Sequence, residues 1–168
     1  MKIKKLFCLV AYYGFARYLP ASTSPMTRWA RKIRRMICRH IFDKCGDNVN
    51  VERGAHFANG GGIYIGHAYN ITINSKAKIG RNCNIHKGIV IGQANRGSLK
   101  GCPAIGDRVW IGINSAIVGN ITIGDDVLIA PNSFVNVDIP SHSVVFGNPC
   151  VIKHRDWATE GYVNNIVE

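Results

Sequence analysis

The 168-residue sequence predicts an all-β fold, a coil of short parallel strands, preceded by a helical segment. Three patterns lead to this prediction. An aliphatic residue returns at every sixth position, glycine often follows it, and Asn or Asp gathers at the remaining corners. A period of six matches neither an α-helix nor an ordinary two-faced strand. It is typical of a triangular coil whose rungs are stabilised by stacking on their neighbours.

The repeat positions are strict over two stretches of the chain. They are Ile73, Ile79, Ile85 and Ile91, and then Ile105, Ile111, Ile117, Ile123 and Ile129, with Val135 closing the run. Upstream the period is looser, because Val51, Phe57 and Ile63 keep the hexad spacing but Ile63 and Ile73 do not. This predicts an early coil with a short insertion near residues 59–70.

The other hexad positions support the coil. The fifth position of each hexad is small or β-branched, which suits a second inward site in a narrow prism: Ala77, Cys83, Ile89, Val109, Ser115, Ile121, Val127 and Ser133. Glycines after the repeat residue predict corners with φ values that only glycine adopts freely: Gly80, Gly92, Gly106, Gly112 and Gly124. Asn and Asp side chains are expected to stabilise the remaining turns, at Asn74, Asn82, Asp107, Asp125 and Asn132.

These patterns divide the chain into a basic helical N-terminal segment (residues 1–46), a β-helix (47–152) and a C-terminal tail (153–168). Ile91 and Ile105 are separated by more than two hexads, which predicts a protruding loop at residues 93–104. Such loops often serve function, so we expect a functional loop here, with a tolerated surface insertion as the alternative. Six cysteines without a CxxC pair predict reduced thiols in a cytoplasm, and no metal site.

The positive charge is concentrated at the N-terminus. Residues 1–45 contain eleven Lys and Arg against one acid, Asp43, and so carry +10 of the formal +11. Residues 6–19 are apolar apart from Arg17, too few to cross a bilayer, which needs roughly 20 apolar residues. Residues 26–45 predict a helix with Trp29, Ile33, Ile37 and Ile41 on one face. The segment either caps the open end of the coil or also docks on an anionic membrane surface. No motif beside it indicates nucleic-acid binding.

Two histidines stand out as candidates for chemistry. The separation of His67 and His86 exceeds one full coil of three hexads by a single position, so they should lie almost above one another at the same edge. Neutral histidine is a suitable general base near pH 7.

Four segments carry a family resemblance: IYIGHAYNITINSKAKIG, NIHKGIVIGQ, CPAIGDRVWIGINSAIVGNITIGDDVLIAPNS and VVFGNPCVIKHR. From about residue 48 to 155 the chain resembles the left-handed β-helix, hexapeptide-repeat acyltransferases. The most similar branch holds the serine acetyltransferases and the O-acetyltransferases of capsule, exopolysaccharide and lipopolysaccharide synthesis. The resemblance implies the left hand of the coil, which is otherwise an exception to the right-handed rule. It also implies a homotrimer and transfer of an acetyl group from acetyl-CoA.

The resemblance further implies roles for individual residues. His67 falls on the catalytic histidine and is expected to be the general base, with His86 at the wall of the acceptor site. Apart from the resemblance, the other acceptor-side candidates are Asn50, which is one candidate with Glu52 or a backbone carbonyl to orient the His67 imidazole, and Arg96 and Lys100, which suit an anion. The expected acetyl-CoA contacts are Gly92, Gly112, Ile113, Ala130 and Pro131, with Lys153 and Arg155 at its phosphates. In the resemblance, acetyl-CoA lies in a groove between two subunits, and the loop at residues 93–104 is expected to be a lid over it that reaches toward the neighbouring subunit. Trp110 is expected to line that groove or to pack at a subunit interface.

The chain departs from serine acetyltransferases at the acceptor side. The aspartates expected before the histidine and in the preceding coil are replaced by Gly66 and, approximately, Asn50. An Arg-His-Pro segment that binds the serine carboxylate is replaced around Cys102-Pro103. We therefore expect a sugar or oligosaccharide acceptor in surface-polysaccharide synthesis, in the cytoplasm or at the inner face of the membrane. The alternatives are serine O-acetylation, a non-catalytic scaffold or binding module, and a hydratase of the γ-carbonic anhydrase type.

Overall fold

The structure is a computed structural model that describes residues 3–20, 28–42, 49–51, 63–65, 70–74, 76–164 and 166. Two helices come first, α1 (Ile3–Gly14) and α2 (Arg28–Ile41), with a 3-10 turn (Ala16–Tyr18) between them. Fourteen short strands follow. They are β1 (Val49–Val51), β2 (Tyr64–Ile65), β3 (Ile71–Ile73), β4 (Lys78–Ile79), β5 (Asn84–Ile85), β6 (Val90–Gly92), β7 (Ala104–Ile105), β8 (Trp110–Ile111), β9 (Ala116–Val118), β10 (Thr122–Ile123), β11 (Val127–Ile129), β12 (Phe134–Val135), β13 (Ser143–Phe146) and β14 (Val151–His154).

The strands form the three faces of a coil. One sheet has the order β1-β3-β6-β9-β12, the second β10-β7-β4, and the third β14-β13-β11-β8-β5-β2. Every pairing of these strands is parallel except that of β13 with β14. Successive rungs pair at a separation of three hexads, as Phe134 does with Ala116. The coil of short parallel strands predicted from the period of six, with helices before it, is confirmed.

The interior consists of the two predicted inward columns. Every repeat residue from Ile73 to Val135 is buried, and so are all eight residues at the fifth hexad position. Two of these are serines whose hydroxyls stay hydrogen-bonded inside the coil: Ser115 Oγ and Ser133 Oγ both donate to the Ala130 carbonyl, at 3.0 and 2.6 Å. Burial of the hydroxyls is therefore compensated.

The reason given above for the repeat glycines is wrong. Residues in the left-handed region lie two positions later, for example Asn82, Asn114 and Asn132, with φ from 56° to 59°. Gly112 instead has no room for a side chain, because a Cβ there would lie 2.5 Å from the Pro131 nitrogen of the next rung. Asn supplies the turn conformation, and glycine permits the close approach of two rungs.

One corner is two residues longer than the corner stacked on it. Ile73 pairs with Ile91, and the two are separated by three hexads along the chain. Ile65 pairs with Ile85, and their separation is two residues greater. The two extra residues therefore lie between Ile65 and Ile71, inside the insertion predicted at residues 59–70. Phe57 and the rest of residues 52–62 lie outside the described part of the chain.

The helices cover the first rung of the coil. α1 packs on α2, and α2 contacts β1. Arg34 of α2 is buried, and its Nη1 donates to the carbonyls of Leu19 and Pro20 in the connection before the helix, at 3.1 and 3.0 Å. The predicted apolar face of α2 is confirmed only in part: Ile41 is buried, and Ile33 and Ile37 pack half-buried against the core. The helix buries the row Ala30, Arg34, Cys38 and Ile41 and leaves Trp29 49% exposed, since Arg34 must reach those carbonyls.

Among the described helices, none combines the length and the apolar character needed to cross a membrane. Five cysteines in the described residues are free thiols: Cys8, Cys38, Cys83, Cys102 and Cys150. Burial raises the pKa of the Cys83 thiol to about 12, so this inward side chain stays protonated and acts as a small apolar group.

Candidate functional site

The predicted base, His67, belongs to the longer corner. Residues 66–69 lie outside the described part of the chain, so the structure fixes only the two strands that enclose them. β2 ends at Ile65 and pairs with β5, and β3 begins at Ile71 and pairs with β6. The two strands that flank these residues therefore pair with the two that flank the turn His86–Gly88 of the next rung. The position of His67 relative to His86, and its role, remain predictions.

His86 begins an aromatic row on the outer surface. Its half-buried ring lies 4.8 Å from the ring of Trp110, and Trp110 lies 5.2 Å from Tyr162 in an edge-on contact. Trp110 pairs in register with Asn84, a buried residue whose Nδ2 donates to the Tyr162 carbonyl at 2.7 Å. The buried Oδ1 of Asn84 has no hydrogen-bond partner among the described residues. Trp110 thus faces outward beside His86, but the chain's own tail covers part of it.

The other acceptor-side candidates lie away from His86. Arg96 and Lys100 are exposed on the loop between β6 and β7, which is closed by a bridge between Ala94 and Gly101. That loop leaves the corner after β6, one strand beyond the His86 turn. Asn50 lies in β1, in register with Thr72 of the neighbouring β3. Within one chain the structure does not bring these residues together with His86.

Four of the expected acetyl-CoA contacts share the His86 corner. Gly112, Ile113, Ala130 and Pro131 form the equivalent turns of the next two rungs. The Gly112 amide donates to the Ile129 carbonyl at 2.8 Å, and the Ala130 amide donates to the Val145 carbonyl at 2.7 Å. Those two amides already hold the coil together, so a pantetheine arm would contact the surface of this corner rather than these donors.

The remaining expected contacts lie elsewhere. Gly92 ends β6 at the corner from which the loop leaves. Lys153 lies in β14, with its Nζ 5.7 Å from the centre of the Phe146 ring, and Arg155 follows, its amide donating to the His142 carbonyl at 2.8 Å. Both basic side chains are exposed. They lie at the C-terminal end of the coil, beyond β13, which is the strand that pairs with β11.

Sequence reasoning missed a buried carboxylate that holds the tail. Asp126 is 2% exposed, and its Oδ1 accepts from the Thr159 hydroxyl at 2.6 Å and the Thr159 amide at 3.0 Å. Its Oδ2 accepts from the Ala158 amide at 3.0 Å and lies 2.9 Å from His142 Nδ1. Burial alone would raise the pKa of Asp126, but these hydrogen bonds hold it below its usual value. No pattern in residues 153–168 indicated this contact.

The part of the chain that the structure covers contains no candidate metal-binding cluster. There, no group of three His, Cys, Asp or Glu side chains lies close enough to hold an ion.

Comparison with known proteins identifies the repeats. Residues 103–137 match the family model of the bacterial transferase hexapeptide (six repeats). The serine acetyltransferase of Synechococcus elongatus is 34% identical over 107 residues, which cover 64% of this chain and 43% of that protein. The chloroplastic serine acetyltransferase 1 of Arabidopsis thaliana is 32% identical over 149 residues, covering 88% of this chain and 46% of that protein. The chain spans about half the length of these relatives.

Solved structures give the same picture. The serine acetyltransferase of Neisseria gonorrhoeae matches with a TM-score of 0.63 at 24% identity, covering 90% of this chain and 52% of that one. A serine acetyltransferase in complex with cysteine matches with a TM-score of 0.63 at 24% identity, covering 91% and 59%. These likenesses support the left-handed β-helix.

One prediction is overturned by these relatives. The sugar acceptor and the role in surface-polysaccharide synthesis are wrong, because the relatives found in sequence and in structure are serine acetyltransferases. That prediction rested on the departures at Gly66 and Cys102. These are differences at a few positions outside the repeats. Residues 103–137 thus match the transferase hexapeptide repeats, and the chain around them is similar to part of the serine acetyltransferases.

Proposed function

We propose that the protein is a serine O-acetyltransferase that moves the acetyl group of acetyl-CoA to the hydroxyl of serine. The observation that carries this proposal is the set of relatives named serine acetyltransferases, at 32–38% identity over 90 residues or more. The coil agrees with the proposal, and we propose His67 as the base and His86 as a contact of the acceptor.

The chemistry needs few protein groups. His67 accepts the proton of the serine hydroxyl as the oxygen attacks the thioester carbonyl. The C–S bond then breaks, and the coenzyme leaves as a thiol after taking up a proton. The connection between Ile65 and Ile71 is two residues longer than the turn paired with it, and such departures from a repeat often serve function.

The remaining parts of the site are proposed by position. Acetyl-CoA lies along the corner formed by Gly112, Ile113, Ala130 and Pro131, with Lys153 and Arg155 near its phosphates. His86 and Trp110 line the acceptor side, and Asn50 lies in the first rung.

Arg96 and Lys100 are the cations proposed to meet the serine carboxylate in place of the missing Arg-His-Pro segment. Both are on a different corner from His86, so they reach the site only from another copy of the chain. A homotrimer with the site between subunits satisfies this requirement.

The test is release of free thiol from acetyl-CoA by the purified full chain, with and without serine. We expect release that depends on serine and saturates with it. His67→Ala should lower kcat by about 10²–10⁴-fold, the usual loss for a general base, with affinity for acetyl-CoA nearly unchanged. His86→Ala should raise KM for serine more than it lowers kcat.

His40→Ala is the matched control, since His40 is exposed on α2 and should leave the rate unchanged. Binding of acetyl-CoA without serine-dependent thiol release would refute the proposed acceptor. An active His67→Ala together with an inactive His86→Ala would move the base to His86.

A further inference from the structure

Helix α1 is apolar on two opposite faces. One face buries Cys8, Leu9 and Tyr12 within the N-terminal helical segment. The opposite face carries Ile3, Leu6, Phe7 and Val10, which are spaced three or four residues apart and so form one stripe, here called the α1 ridge. These side chains are exposed by 50% for Leu6 up to 87% for Ile3. A helix that is apolar all round normally has both faces covered.

The surroundings of the α1 ridge are strongly basic. Residues 3–20 and 28–42 contain nine Lys and Arg and no Asp or Glu. Lys4 is exposed and lies one turn from Phe7, at the border of the ridge, and Lys32 is exposed on α2. Tyr18 and Trp29 are also largely exposed, and such rings are favoured where apolar and polar phases meet.

We infer that the α1 ridge is a docking surface for an anionic lipid bilayer. The apolar side chains enter the boundary between headgroups and acyl chains, and the basic side chains contact the lipid phosphates. A second copy of the chain is the less suitable cover, because two such segments would bring nine positive charges against nine with no acid between them.

The dimensions agree with a helix that lies on the surface. The 12 residues of α1 are roughly 18 Å long at 1.5 Å per residue, well short of a hydrocarbon core of roughly 30 Å. Capping and docking also use different faces of α1. The Tyr12 face covers the coil end through α2, and the Phe7 face remains available for lipid, so the two roles considered from sequence are compatible.

The experiment measures flotation of the full-length protein with vesicles of phosphatidylcholine alone or mixed with phosphatidylglycerol. We expect binding to the anionic vesicles that falls as salt rises toward molar levels, where the Debye length is about 3 Å. The double variant Phe7→Ser/Val10→Ser should bind at least about tenfold more weakly, because burial of each large apolar side chain is lost. Lys4→Gln/Lys32→Gln should also weaken binding, and should reduce its salt dependence.

Val137→Ser is the matched control, since Val137 is an exposed apolar residue on the coil, and its binding should equal that of the wild type. Circular dichroism verifies that each variant is folded. Equal binding to neutral and anionic vesicles, or unchanged binding of Phe7→Ser/Val10→Ser, would overturn the inference. So would a drop in assembly size for Phe7→Ser/Val10→Ser in the absence of lipid, which would assign the α1 ridge to a second copy.

Discussion

Replacing Gly112 by alanine tests the rung spacing on which the coil depends. A Cβ at residue 112 would lie 2.5 Å from the Pro131 nitrogen, 2.8 Å from the Ala130 carbonyl carbon and 2.8 Å from the Ile129 oxygen. All three are backbone atoms of the next rung, which the Gly112 amide holds through its 2.8 Å hydrogen bond to Ile129. None of them can rotate away, so the two rungs must separate at this corner.

The expected loss follows from that overlap. Forcing an extra methyl group into a packed site typically costs about 1–3 kcal/mol, and the upper end applies here because backbone must move. For a chain of this length, each kcal/mol lowers the melting temperature by about 2–4 °C. We therefore expect the melting temperature of Gly112→Ala, followed by circular dichroism, to fall by roughly 6–12 °C.

Gly92→Ala is the matched control. A Cβ at residue 92 would meet only side-chain methyl groups, those of Val118 and Val90, each at 3.5 Å. This is ordinary contact, so Gly92→Ala should change the free energy of unfolding by no more than about 0.5 kcal/mol. If Gly112→Ala and Gly92→Ala have the same melting temperature, close approach of the rungs is not the reason for glycine at this corner.

Two further predictions concern the tail and the assembly. Because the folded pKa of Asp126 is held below its ordinary value of about 3.9, its contribution is present above that pH and is lost as the pH falls through the folded pKa. Asp126→Asn should therefore lower the melting temperature at neutral pH. The difference from the wild type should disappear in strong acid, where the carboxyl of Asp126 is protonated. Parallel pH profiles of wild type and variant would refute this. For the assembly, light scattering at micromolar concentration should give three times the 18.5 kDa chain mass, and a monomer would remove the shared site.

The fold could be predicted from the sequence because each rung repeats the same pattern of aliphatic and turn residues. Ile111 and Ile117 are buried for the reason that their period implies, and Asn82 and Asn132 adopt the turn conformation that Asn tolerates. The buried face of α2 could not be predicted in the same way. It depends on Arg34 reaching the carbonyls of Leu19 and Pro20 in the preceding connection, and no local period reports such a contact.

The candidate site was less accessible to sequence reasoning. Asp126 holds Thr159 and Asn84 holds Tyr162, both far along the chain, and the tail that supplies these partners has no repeat. The acceptor prediction was wrong because it rested on a few positions, such as Gly66 and Cys102, and these report less than the similarity of the whole coil. His67 remains a prediction, supported by the position of its corner.

The inverted last strand has a consequence for how the protein behaves in a crowded solution. A coil of parallel rungs could in principle extend from one molecule into the next and grow into a fibre. β14 runs antiparallel to β13, so on this face an incoming rung would meet the opposite hydrogen-bonding pattern. Its exposed Lys153 and His154 further disfavour an added strand. The chain reversal between β13 and β14 thus ends this parallel ladder, and we expect it to hinder end-to-end polymerisation.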